Sequence, residues 1–343
     1  MKHLHAFTLT AALALAAATP AHAQTAPDAA ASAAAPAAVS APTLKVDVQV
    51  VNPEDLLDTN KTLLVPTLYL SLLTEGRVSA GKQSGFFSGG NATARAAASY
   101  KVAGLDKAYA QQLAQAAYDD FVAQLRQAGY TVLTYADVKD REVLRGAQRD
   151  ASAGPLGLPT SSEGGNSYIL AAPSDEQLFK SGFAGGAFSE FQSGGKSRIT
   201  DATIVIPHFT FNAPQAWTET SSGYKSVSAE ANIAEGMNLL WARAHWMGQP
   251  KSRMMRGIPG VATKAQVVNV SEKAGAVTKT ADTTPQTANA VSTVLSLFGA
   301  GNVQRSSSEY LLTIDREAYA RGVLNGVRSF NAEVARAAAA ATP

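Results

Sequence analysis

The stretch DKAYAQQLAQAAYDDFVAQLRQAGYTVLTY, residues 106–135, carries the clearest local signals in the chain. Its apolar residues recur every three or four positions between 107 and 128, which predicts an amphipathic helix. Asp106 is suited to cap the amino end of that helix, and Gly129 stands where a left-handed residue ends many helices. The flanking residues, 93–102 and 130–135, have the pattern of strands. The stretch therefore predicts a strand–helix–strand unit.

Strand patterns dominate the rest of the chain. Residues 44–50 alternate strictly, and residues 63–73 form an almost unbroken apolar run, with a strand predicted over 67–74. Further strands are predicted at 202–211, 227–233, 237–247 and 265–270, without a strong helix between them. Consecutive strands of this kind favour antiparallel pairing. A final helix is expected after Asp315, with an apolar stripe formed by Tyr319, Val323, Val327, Phe330 and Val334. We therefore predict an α+β fold, a mostly antiparallel sheet with two well-defined amphipathic helices packed on it. Two small α/β domains are the alternative.

The first residues have the organisation of an export signal. A short basic segment precedes an apolar run, and residues 1–23 end in Ala-His-Ala, which predicts a signal peptide cleaved near Ala23. Residues 24–43 are rich in Ala and Pro and lack large apolar side chains, which predicts a disordered linker. Residues 44–343 are predicted to form one α+β domain, with a division near 154–166 as the alternative. The expected location is the periplasm or the exterior of the cell.

The composition excludes several classes of protein. The chain has no Cys, so disulfides, thiolate metal sites, Cys nucleophiles and lipid attachment through a Cys are excluded. Its 29 Lys and Arg nearly balance its 27 Asp and Glu, which gives no electrostatic case for binding nucleic acid. No later apolar run approaches the roughly 20 residues that a transmembrane helix needs. We therefore expect no nucleic acid partner and no transmembrane segment, and the oligomeric state stays open.

The sequence offers no recognisable catalytic set. Only His208 and His245 lie beyond the predicted signal peptide, and a Gly-x-Ser-x-Gly nucleophile motif is absent. Clusters of carboxylates occur at three places, which are predicted to be solvated surface: Asp119 with Asp120, Asp137 with Asp140, and Glu54 with Asp55 and Asp58. No catalytic or cofactor-binding residue is therefore assigned, which favours a protein that is not an enzyme.

One constellation has the chemistry of a metal site. On the strand that ends at Met247, His245 and Met247 project from the same face, and Met254 and Met255 follow in the next loop. Imidazole and thioether ligands suit Cu(I). With the nearby Trp241, this set is similar to that of small periplasmic copper carriers, which combine His, Met and a Trp face, although the spacing differs. The resemblance implies a possible copper site. Met and Trp side chains are also typical of a packed core.

A second candidate is an apolar patch that has the character of a docking element. Residues 284–298 have the pattern of an amphipathic helix, and polar segments lie on both sides of it. The patch contains Val291, Val294, Leu295 and Phe298. Such a helix either packs on the sheet of its own domain or binds an envelope protein or a membrane surface.

Three functions follow from these observations. The first is an exported binding or assembly module of the cell envelope, with an envelope protein as its partner. The second is a hydrolase of cell-wall or glycan material that uses carboxylates, because catalytic carboxylate pairs have no diagnostic sequence spacing. The third is a soft-metal protein that handles copper.

Overall fold

The chain is described by a computed structural model, and all described residues belong to one compact unit, Pro42–Pro343. The described residues are 44–52, 61–83, 93–180, 199, 201–223, 226–247, 260–264, 267–282 and 303–341. The predicted signal peptide, the predicted linker and the predicted helix 284–298 lie outside these residues.

Strands make up most of the regular structure. Within the described residues they are β1 (Val48–Val51), β2 (Thr62–Val65), β3 (Tyr69–Gln83), β4 (Thr93–Ala103), β5 (Thr131–Thr134), β6 (Thr160–Glu163), β7 (Asn166–Ala171), β8 (Thr203–Asn212), β9 (Gln215–Gly223), β10 (Ser226–Ala234), β11 (Met237–Met247), β12 (Gly260–Thr263), β13 (Val268–Ser271), β14 (Gly275–Asp282) and β15 (Val303–Ile314). The backbone of the main sheet follows the order β1-β12-β11-β8-β3-β4-β15-β14. β2, β5, β6, β7 and β13 join it laterally, and β9 and β10 form a separate hairpin.

The main sheet is mixed, so the prediction of a sheet-rich fold with helices is confirmed and that of a mostly antiparallel sheet is confirmed only in part. β3 and β2 each run parallel to β8, β2 runs parallel to β5, and β15 runs parallel to β4. β8 and β11 are antiparallel, and the β9–β10 hairpin lies between them in the sequence. The parallel pairs join strands far apart in sequence, which local patterns do not reveal.

Four α-helices occur in the described residues: α1 (Lys107–Gln127), α2 (Tyr135–Val138), α3 (Glu142–Arg145) and α4 (Arg316–Ala341). α1 begins as predicted, since the Asp106 carboxylate accepts a hydrogen bond from the Tyr109 amide at 2.8 Å. It ends at Gln127, and Gly129 follows two residues later with a φ of 90°, in the left-handed region that glycine adopts without strain. α2 and α3 are two separate short helical turns and not one continuous helix.

α1 and α4 pack on one another and on the sheet. The predicted apolar stripe of α4 is entirely buried, which confirms that this face forms the core. Phe330 lies edge-on against Phe209 of β8, with ring centroids 5.4 Å apart. Trp246 of β11 contacts Tyr130 at the end of α1 in a similar arrangement, at 6.3 Å. The predicted strand 237–247 has the bounds of β11 and is central in the sheet, between β8 and β12.

The β9–β10 hairpin covers another part of the sheet. Ala216 of β9 and Ile233 of β10 pack against a small apolar cluster formed by Leu73, Tyr100 and Tyr168. The division of the domain near 154–166 stays a prediction. β7, which begins at Asn166, pairs with β3 of the main sheet.

Candidate functional site

The two histidines that follow the predicted signal peptide lie on adjacent strands and on the same face. β8 carries His208 and β11 carries His245, and the register places Arg243 opposite His208. Phe209 and Trp246, their neighbours in sequence, contact the helical side of the sheet. Because strand side chains alternate between faces, the two histidines and Arg243 point to the opposite face. We call His208, Trp241, Arg243 and His245, together with Ser71 of β3, the histidine face.

His208 is held by three neighbours. Its Nε2 atom lies 2.8 Å from the Ser71 hydroxyl oxygen. Trp241 stands edge-on to its ring, with centroids 5.1 Å apart, and Tyr69 lies 6.0 Å away in a similar orientation. These contacts fix the orientation of the imidazole, because a ring wedged between aromatic neighbours and a hydrogen-bond partner has little rotational freedom.

Burial keeps both imidazoles neutral. It lowers the pKa of His208 to about 4. Burial also lowers the pKa of His245 to about 3, and the Arg243 cation and a protonated His208 lower it further by repulsion. A neutral imidazole accepts a hydrogen bond or binds a metal ion through one nitrogen and donates through the other.

The Ser71–His208 pair has the atoms of a nucleophile and a base but not their electrostatics. Ser71 is buried, and in the part of the chain that the structure describes no carboxylate bonds His208 to orient it and stabilise its charge. A pKa of about 4 also makes His208 a weak base at neutral pH. The arrangement is therefore better suited to binding than to deprotonating a serine.

The predicted metal ligands are only partly within the described residues. His245 and Met247 are two positions apart on β11, as predicted, and Met247 is buried. Met254 and Met255 lie outside the described residues, as do the predicted partner-binding residues Val291, Val294, Leu295 and Phe298. Among the residues that the structure describes, no group of three or more His, Asp or Glu side chains is placed to hold a metal ion. The copper site and the docking patch stay predictions.

The sequence analysis does not predict the pairing of β8 with β11, which brings the two histidines to one face of the sheet. His208 was recognised only as the other available histidine, and Ser71 was not singled out at all. A signal existed, since 202–211 and 237–247 were both predicted as strands and pairing them would bring the two histidines together. The sequence does not specify the register, and a shift of one residue would place one histidine on the opposite face.

Two of the predicted carboxylate clusters have structural roles. Asp137 accepts hydrogen bonds from the Thr134 amide and hydroxyl, both at 2.7 Å, and these bonds lower the pKa of its carboxyl group. Asp120 lies between α1 and α4, where it accepts from the Asn331 amide at 2.8 Å. Its side chain is only 9% exposed, so the prediction of a solvated carboxylate was wrong for Asp120. Helix pairing buries this position, which the periodicity of one helix cannot reveal. Glu54, Asp55 and Asp58 lie outside the described residues.

A wider surface cleft of about 820 Å³ lies near α2 and α3. Both acidic and basic side chains line it, and its Arg149 guanidinium stacks on the Phe179 ring at 4.3 Å. The same guanidinium donates to the Leu144 carbonyl at 3.1 Å. Arg149 therefore stabilises the loop residues around it and has a structural role. The histidine face remains the better candidate site.

None of the helices in the described ranges combines the length and the apolar character needed to cross a membrane.

Comparison with known proteins does not reduce the number of candidate functions. No family model, curated protein or solved structure matches this chain. The functional assignment therefore depends on the geometry of the described side chains.

Proposed function

We propose that the protein is an exported, non-enzymatic binding or assembly module of the cell envelope, and that the histidine face is its binding surface. The observation that carries the proposal is the alignment of Trp241, His208 and Arg243 on adjacent positions of β8 and β11. The signal-like residues 1–23 support the location.

The side chains of the histidine face have the chemistry of a recognition surface. Trp241 supplies an aromatic surface, Arg243 a cation, and His208 with Ser71 a fixed hydrogen-bonding pair. Aromatic and arginine residues dominate the binding energy of many protein interfaces. The hydrolase alternative has less support, because Asp120 and Asp137 bond to neighbouring structural groups.

A site-specific photocrosslinker tests the binding role. Benzoylphenylalanine in place of Trp241 is expected to form one dominant covalent adduct with an envelope protein in intact cells. Substituting His208→Ala in the same protein should lower the adduct yield by about tenfold, the effect of losing an important contact residue. The adduct band is quantified by immunoblotting and identified by mass spectrometry.

The matched control places the crosslinker at Trp217 of β9, which is 43% exposed and lies on the separate hairpin. An identical adduct pattern from positions 217 and 241, or no adduct from position 241, would contradict the proposed surface.

Soft-metal binding is the second candidate, and the shared face of His208 and His245 favours it. The Ser71 hydroxyl holds one nitrogen of His208, as outer partners commonly orient metal-binding histidines. The opposite nitrogen, together with His245 and the thioether of Met247, would supply the nitrogen and sulfur ligands that Cu(I) prefers.

A competition titration with a Cu(I) chelator measures this second function. The variant His208→Ala/His245→Ala/Met247→Ala is expected to bind Cu(I) at least about tenfold more weakly than the natural sequence. Met237→Leu serves as the control, because Met237 is a buried methionine of the core on the same strand. Equal affinity of the triple variant and the control would end the metal hypothesis.

A further inference from the structure

The strands β3, β4 and β15 are neighbours in the main sheet, and each carries one arginine. These arginines are distant in sequence from His208 and His245. Arg77 lies on β3, Arg95 on β4 and Arg305 on β15, and all three side chains are exposed. They line a shallow groove of about 460 Å³ whose other lining residues are small: Ser79, Ala80, Gly81, Ala96, Ala97, Ser306 and Ser307. We call this feature the arginine groove.

The register brings two of the arginines side by side. Arg95 pairs with Arg305 across the parallel β4–β15 ladder and with Gly81 across the β3–β4 ladder. Adjacent strands are about 4.8 Å apart, so the two guanidinium stems leave the sheet next to one another. Like charges directly opposite one another destabilise a sheet. An anion placed between the two guanidinium groups would contact both of them.

The floor of the groove allows a ligand to come close to the backbone of the strands. Gly81 pairs with Arg95, and Ala97 pairs with Ser79. Neither Gly81 nor Ala97 has a side chain that extends over the strands. A ligand can therefore rest near the backbone while the arginines surround it. Guanidinium groups bind phosphate oxygens in pairs through parallel N–H donors, and they do so with better geometry than lysine.

Among the described residues of these strands, the acidic side chains lie at the end that also carries Arg77, since Arg77 and Glu309 both pair with Ser99. Glu75 forms an ion pair with Lys101 at 3.6 Å, so its charge is balanced locally. Glu309 lies on β15 opposite Ser99, four residues from Arg305. Within the described ranges, no acidic side chain lines the half of the groove that contains Arg95 and Arg305. Its charge is complementary to a compact anion.

We propose that the arginine groove binds a phosphate-bearing ligand, with Arg95 and Arg305 holding one phosphate and Arg77 reaching a second. The inference is independent of the proposed function, since it shares no residue with the histidine face. Phosphate groups of this kind occur in soluble phosphate chains and in lipid headgroups, and the experiment separates the two sources.

Isothermal titration with tripolyphosphate and flotation with phosphatidylglycerol vesicles are the two arms of the test. Each lost arginine contact should weaken binding by about tenfold, so Arg95→Gln/Arg305→Gln is expected to bind the relevant probe about a hundredfold more weakly. The control Arg321→Gln/Arg336→Gln removes the same charge from exposed positions of α4. Circular dichroism checks that each variant is folded.

A second variant keeps the test decisive if the double substitution disturbs the strands. Ala97→Glu leaves every arginine in place and adds a carboxylate to the groove, so it should also abolish binding. Arginine-dependent binding of tripolyphosphate supports a soluble ligand, and arginine-dependent binding of vesicles alone supports a lipid headgroup. Binding of neither probe by the natural sequence, or equal binding by the Arg95→Gln/Arg305→Gln variant and the control, overturns the proposal.

Discussion

Replacing Phe330 by alanine is expected to lower the free energy of unfolding by about 3–5 kcal/mol, the largest effect of any single substitution considered. Phe330 is completely buried, and its ring packs edge-on against Phe209 at 5.4 Å. Removing the ring deletes a large apolar contact and leaves a cavity between α4 and β8. The neighbouring strand cannot collapse into this space, because its hydrogen bonds to β11 and β3 hold it in place.

Urea denaturation followed by circular dichroism measures the change in stability. Phe330→Leu keeps most of the apolar volume and should lose much less stability than Phe330→Ala. Arg321→Ala, at an exposed position of the same helix, should stay within about 0.5 kcal/mol of the natural sequence. If Phe330→Ala were as stable as Arg321→Ala, the packing of α4 on the sheet would be wrong.

Acidification from pH 7 to pH 4.5 is expected to destabilise the protein through its two buried histidines. In the unfolded chain a histidine binds its proton near pH 6.5, whereas in the folded chain His208 does so near pH 4 and His245 near pH 3. Between these values the unfolded state binds more protons, so stability is fully present above pH 6.5 and falls as the pH falls. The expected loss between pH 7 and pH 4.5 is about 2 kcal/mol or more.

Urea denaturation at pH 7, 5.5 and 4.5, in the presence of a chelator, tests this dependence. The variant His208→Gln/His245→Gln should have a nearly flat stability over the same range, because its side chains do not titrate there. The lowered carboxyl pKa values of Asp106, Asp137 and Asp175 contribute only at more acidic pH. The same slope in the variant and in the natural sequence would show that the histidines are not buried as described.

Local patterns predicted the elements that depend on neighbouring residues. The helix after Asp106 has its predicted start and a glycine end, because capping and periodicity act within a few residues. Strand β11 has its predicted bounds, and His245 and Met247 follow one another at the strand period. Strands β9 and β14 were missed, since their polar, exposed residues lack a clear alternation of apolar side chains.

By itself, therefore, the sequence determined the two long helices with their buried stripes, the central strand β11, and the absence of cysteine chemistry. Only the tertiary structure decided the parallel pairing of β4 with β15, the contact of His208 with Ser71, and the adjacency of Arg95 and Arg305. The physical reason is the range of the interactions. A helix is closed by hydrogen bonds between residues four positions apart, whereas this sheet pairs Val48 with Thr263 and Thr93 with Val303. The register of such distant strands depends on packing across the whole domain.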